Sequence, residues 1–169
     1  MRRTLTAALV LISLAACGDG EGKAGAYIRA SFDGGTWSAA ATEGEIAYYV
    51  ESGSGGIFTI ASRQIGAGSQ FLALVLPMPP DLGTHALNGS TAMASFGSCL
   101  DDILADCIGW EAVAEDPGTL TIDQVDPTTG LIEGDFAFTA YTFGDPAGST
   151  KVFTAGHFRI YAPSVFILE

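Results

Sequence analysis

The sequence predicts an all-β domain: an antiparallel β-sandwich or closed β-barrel of about nine to eleven short strands. Three observations point there. Apolar and polar residues alternate at period two through the second half of the chain, the pattern of half-buried strands. Glycine is abundant, 22 of 169 residues, and falls between apolar segments as turns require. No stretch holds a helical apolar period for more than a turn or two.

In chain order, residues 1–16 come first and read as an export signal. Arg2 and Arg3 open it, an apolar run extends from Leu5 to Leu14, and Leu14-Ala15-Ala16-Cys17 closes it. The run is too short to span a bilayer. The closing tetrad resembles the lipobox of bacterial lipoproteins, which implies acylation of Cys17 as the first mature residue. Acyl chains there hold a domain to a membrane without a spanning helix. Gly18 follows the cysteine where an Asp would favour inner-membrane retention, so the expected address is the outer membrane of a bacterial envelope. Residues 17–25 are small and polar and read as a tether. Residues 26–169 are enough for one domain with its own core.

Within that domain, Tyr27–Phe32 and Thr36–Ala40 flank Asp33-Gly34-Gly35, a hairpin signal. Glu45–Glu51 and Ile57–Arg63 flank the Gly/Ser run 52–56. Gln70–Leu76 follows, and within it Phe71–Leu76 is apolar on both faces and reads as a central, covered strand. Thr84–Leu87, Ala92–Phe96 and Gly109–Ala114 follow as short strands. Thr119–Val125 places Leu120 and Ile122 on one face. Leu131–Phe143 does the same with Phe136, Phe138 and Ala140, and Val152–Tyr161 with Phe158 and Ile160. Asp126-Pro127-Thr128-Thr129-Gly130 is the clearest turn: Asp caps, Pro sets φ, Gly supplies positive φ.

Three cysteines are present. With Cys17 lipidated, Cys99 and Cys107 remain as an even pair, expected to form a disulfide in an oxidising compartment, with free thiols or a metal site as the alternatives, the latter poor without a nearby His. Removing Arg2 and Arg3 from the seven basic residues leaves five against nineteen acids, a formal charge of −14. Phosphate backbones and anionic head groups repel such a chain, which excludes nucleic acid as a partner.

Asp33-Gly34-Gly35-Thr36-Trp37, Gly118-Thr119-Leu120-Thr121-Ile122, Gly134-Asp135-Phe136-Ala137-Phe138-Thr139-Ala140 and Gly156-His157-Phe158 occur in this order. Together with the lipobox this resembles the DUF6252-like group of small lipoproteins of uncharacterised function, found mainly in Bacteroidetes. The resemblance spans most of residues 27–161 and implies an all-β fold and an envelope address. It implies no catalytic residues. The Cys99–Cys107 segment departs from it.

Chemistry-bearing residues are sparse. His157 alternates with Phe158 and is expected to point outward; His85 has a similar surface reading. No Gly-x-Ser-x-Gly elbow is present, and the expectation is a protein that is not an enzyme, with a hydrolase using His85 or His157 the least favoured reading. Asp123, Glu133 and Asp135 fall on one polar sheet face, where like charges repel unless a cation intervenes; calcium is the candidate ion, against a reading as solvated acids with no cofactor. Asp101, Asp102 and Asp106 form a second acidic group. Trp37, Tyr48, Tyr49, Trp110 and Tyr141 are either a platform for sugars or core packing. The expected function is a membrane-anchored binding module for an envelope protein, glycan or small ligand. The alternative is a β-barrel carrier of an apolar molecule, which requires an interior not filled by Phe58, Phe71, Phe136 and Phe158.

Overall fold

The computed structural model describes residues 25–41, 46–51, 57–64, 69–77, 80–89, 92–99, 107–145 and 147–161. These form eleven strands: β1 Tyr27–Phe32, β2 Gly35–Ala40, β3 Ile46–Glu51, β4 Ile57–Gln64, β5 Ser69–Pro77, β6 Gly83–Leu87, β7 Met93–Cys99, β8 Cys107–Ala112, β9 Gly118–Asp126, β10 Leu131–Thr142 and β11 Thr150–Tyr161. Every pairing among them is antiparallel, and all belong to one sheet curled into a half-barrel. The all-β expectation is met.

The order is β2-β1-β11-β10-β8-β7-β5-β4-β3, and the curl brings β2 against β4. The sheet forks at β10. The first half of this strand pairs β9, which carries β6 on its far edge, and its last three residues pair β8. A twelve-residue strand twists enough along its length to serve different neighbours at its two ends.

Local chemistry explains the tightest turns. Phe32 pairs Gly35, which leaves Asp33 (φ 45°) and Gly34 (φ 81°) as a two-residue hairpin loop with positive φ at both positions. Asp and Gly tolerate that region, and its twist matches the flanking strands. In the β9–β10 turn, Asp126 Oδ1 accepts the Thr128 N–H at 2.8 Å and Oδ2 accepts the Thr129 hydroxyl at 2.7 Å. Gly130 then takes φ 78° and donates its N–H to the Asp126 carbonyl.

One face of each long strand forms the core. On β10 the even positions are buried from Ile132 to Ala140; on β5, Leu72, Leu74 and Leu76 are fully buried. Phe71, Ala73 and Val75 are only half-buried, so β5 is covered more on one face than its apolar run implies. Phe138 stacks on Phe153 at 4.7 Å, and Phe153 also meets Phe32 at 4.8 Å and Phe96 at 5.2 Å. Each such pair adds about 1 kcal/mol to the burial itself. Phe136 and Phe158 are buried in the same core; Phe71 is not part of it, and the Phe58 side chain lies outside the described residues.

Two irregularities shape the outer face. Gln124 opposes Glu133 while Ile122 opposes Gly134, so Asp123 is an extra residue in β9. Against β10, β11 has its bulge between Phe153 and Gly156, with Ala155 at φ 48°. A bulge re-aims the side chains beyond it. In β11 it keeps Phe153 and Phe158 both inward despite their odd spacing.

Candidate functional site

The outer face of β9, β10, β11, β1 and β2 carries two polar cross-strand rows. One runs Thr121, Asp135, His157, Arg29, Ser38; the next runs Gln124, Glu133, Arg159, Tyr27, Ala40. The acids of these rows, Glu133 and Asp135, belong to β10, and the basic groups to β11 and β1.

At the centre, His157 sits between two carboxylates. Its Nδ1 is 2.8 Å from Asp135 Oδ1 and its Nε2 is 3.3 Å from Glu133 Oε1. A nitrogen that carries a proton donates to the carboxylate it faces. The Tyr27 ring packs 5.6 Å from the imidazole. Arg159 Nε lies 3.9 Å from Glu133 Oε2 without a hydrogen bond of its own. The guanidinium of Arg159 is 5.9 Å from the Tyr161 ring, and that of Arg29 is 5.2 Å from the Tyr27 ring. His157 thus points outward, as its alternation with Phe158 implies.

Of the three candidate cation ligands, the structure brings Glu133 and Asp135 to one imidazole and leaves Asp123 apart. Asp123 is the extra residue of the β9 bulge, exposed and out of register with Glu133. The His157 imidazole stands between these two carboxylates, one ring nitrogen facing each. Among the described residues, no group of three His, Cys, Asp or Glu side chains is placed to hold a metal ion. Asp101, Asp102 and Asp106 lie outside the described residues, as does Cys17.

Cys99 and Cys107 form a disulfide, with Cα atoms 4.1 Å apart at directly opposed positions of β7 and β8. His85 donates from Nε2 to the Asp81 carbonyl at 2.9 Å, a local contact. Trp37 and Trp110 are core residues, not parts of an exposed platform. Tyr141 is half-buried and donates to Asp116 Oδ2 at 2.9 Å, which raises its hydroxyl above its ordinary value. The side chains of Tyr48 and Tyr49 lie outside the described residues.

At the opposite end of the sheet, Lys151 donates to Asp33 Oδ2 at 2.7 Å, and its ammonium lies 5.5 Å from the Phe32 and Trp110 rings. Val152 N–H donates to Asp33 Oδ1. Burial alone would raise the Asp33 carboxyl; the Lys151 and Val152 hydrogen bonds and the Lys151 charge outweigh it and hold the group below its ordinary value.

Sequence reading missed Tyr27, Arg29, Arg159 and Tyr161 as members of the polar face. The signal was present for Arg159 and Tyr161, which alternate with Phe158 and Ile160. The pairing of β1 with β11, which adds Tyr27 and Arg29, has no local signal. No family model, curated protein or solved structure matches this chain.

Proposed function

We propose that this protein is a lipid-anchored binding module of the bacterial cell envelope that does not catalyse a reaction. The observation that carries the reading is Leu14-Ala15-Ala16-Cys17 behind a short charged and apolar leader, nine positions before the first described core residue, Ala26. The Cys99–Cys107 disulfide supports an oxidising compartment. The core supports binding at the surface rather than within, because Phe136, Phe138, Phe153 and Phe158 all pack into it. The outer membrane is the proposed address. An envelope protein or glycan is the proposed partner.

One observation favours the carrier as second reading. Trp37 is 0% exposed, yet its indole Nε1 has no hydrogen-bond partner. A buried donor left alone costs about 1–3 kcal/mol, and a ligand acceptor inside the sheet would relieve it.

Mass spectrometry tests both readings on the full chain expressed in a bacterium and extracted in mild detergent. Acyl mass on Cys17, loss of residues 1–16 and no further adduct is the expected result. An intact leader with an unmodified Cys17 would overturn the anchor. A stoichiometric small-molecule adduct on the folded protein would replace the surface-binding reading with the carrier.

A further inference from the structure

We infer that the outer face of β7, β8 and β10 docks a basic segment of another envelope protein, with a lysine or arginine on Glu111 and apolar side chains over Gly97 and Gly109. The inference deepens the surface-binding reading and rests on it.

The inward residues of these strands, Phe96, Trp110, Phe138 and Ala140 among them, fill the core. The alternate residues form the outer face. One cross-strand row runs Phe71, Gly97, Gly109, and Phe143 joins it by donating its N–H to the Gly109 carbonyl. The next row runs Ala73, Ser95, Glu111, Tyr141, Thr150. Beyond it Val75 opposes Met93 on one side, and Thr139 opposes Val152 on the other. Met93, Phe143 and Val152 are three of the five large apolar side chains exposed among the described residues. A sheet face turned to water is normally polar, and apolar residues gathered on one mark an interaction site.

Gly97 and Gly109 stand at the centre of this face. Neither takes a positive φ. A Cβ at Gly109 would meet nothing within 4 Å, and one at Gly97 would make only ordinary contacts at 3.8 and 3.9 Å. Neither turn geometry nor packing requires glycine here. Glycine inside a strand weakens it and suits a place where another chain approaches closely.

Glu111 supplies the charge. It is half-buried in the row beside the two glycines, and burial raises its carboxyl above the ordinary value. Among the described residues no hydrogen bond or ion pair offsets that burial. Tyr141, directly opposite, donates to the Asp116 carboxylate and so brings a second acid to the same row. The bases nearest by position are Arg63, opposite Phe71 and three strands from Glu111, and Lys151, which is paired to Asp33. An ammonium or guanidinium from outside gives Glu111 the partner that the fold withholds. A second copy of a chain with nineteen acids brings like charge to this face. A neutral glycan leaves the carboxylate without a counter-charge.

The test uses the mature lipidated protein in a mild non-ionic detergent and titration calorimetry with a short acetylated peptide alternating lysine and leucine. Glu111→Gln and Gly109→Leu are each expected to weaken binding about tenfold. Asp81→Asn removes the same charge at an exposed position before β6 and is expected to stay within about twofold of wild type. Equal weakening by Glu111→Gln and Asp81→Asn, or equal binding of a peptide alternating glutamate and leucine, overturns the proposal. A neutral oligosaccharide that binds wild type and not Gly109→Leu overturns the partner class. Thermal melts of the same samples guard the result: Glu111→Gln that melts no lower than wild type has lost binding without losing its fold. The anchor and the surface-binding reading fall separately, on the masses of Cys17 and of any adduct. A lipidated, adduct-free chain whose variants all bind alike defeats this site alone.

Discussion

Lys151 and Asp33, 118 positions apart, form an ion pair of 2.7 Å that ties the first hairpin turn to the start of the last strand. Asp33 also accepts the Val152 N–H, so one carboxylate serves a side chain and a backbone across β1 and β11. Asparagine tolerates the same positive φ, which makes Asp33→Asn a test of charge rather than of turn geometry. The folded-state value of Asp33 lies below its ordinary 3.8. Its contribution is full above the ordinary carboxylate range and is lost as pH falls through the lowered value. The melting temperature of Asp33→Asn is therefore expected to fall below wild type at pH 7, and the gap to close in strong acid. A gap that persists there would place the effect in the turn.

Gly134 and Gly156 are fixed by contact, not by turn chemistry. A Cβ at Gly134 would run into the Thr121 carbonyl oxygen and stand 2.9 Å from the Phe158 ring; at Gly156 it would stand 2.5 Å from the Phe136 ring. Gly134→Ala is expected to destabilise by about 3 kcal/mol, on the order of 10 °C in melting temperature. Denaturant melts of Gly134→Ala and of Gly109→Ala, whose Cβ would meet nothing within 4 Å, separate crowding from loss of chain freedom.

These glycines show what was legible in the chain. Gly118, Gly134 and Gly156 stand within the motifs that carried the family resemblance, and in the structure each faces a side chain or backbone too close for a Cβ. The motifs thus report packing and say nothing of a ligand. Strand positions were readable because side-chain alternation is local: all eleven expected strands occur, with ends displaced by a few residues. Strand order was not, since the pairing of Tyr27 with Arg159 leaves no trace near either residue. The polar face was half legible. Glu133 and Asp135 share a face as their i, i+2 spacing requires, but the bulge that removes Asp123 and the imidazole between the acids depend on the neighbouring strands.

Glu111 is raised above its ordinary 4.5 by burial. A raised carboxylate contributes stability below its unfolded value and loses it as pH rises through the folded one, so the ionised form costs stability at neutral pH. Glu111→Gln is expected to melt higher than wild type at pH 7 and level with it at pH 3. A lower melting point at pH 7 would reveal a partner for the carboxylate.

Opening the Cys99–Cys107 bridge, which spans a separation of eight positions, is expected to cost about 2.5 kcal/mol by chain entropy. Thermal melts with and without a reductant measure it. The double variant Cys99→Ala/Cys107→Ala should reproduce the reduced value and lose all response to reductant.

Because His157 already bridges Glu133 and Asp135, millimolar calcium is expected to leave the melting temperature within about 1 °C. Differential scanning calorimetry with calcium and with a chelator decides it. A rise of several degrees would return a cation to this face.

The position of β11 has a consequence for how the molecule is assembled. The opening hairpin, β1 and β2, joins the rest of the sheet through β11, the last strand in chain order. During synthesis that hairpin has no edge to lie on until almost the whole chain exists. An isolated two-stranded hairpin is marginal in water. The domain therefore cannot be built piece by piece from its beginning: the dozen residues of β11 are the keystone, and a chain ending before Thr150 strands its own hairpin of residues 27–40.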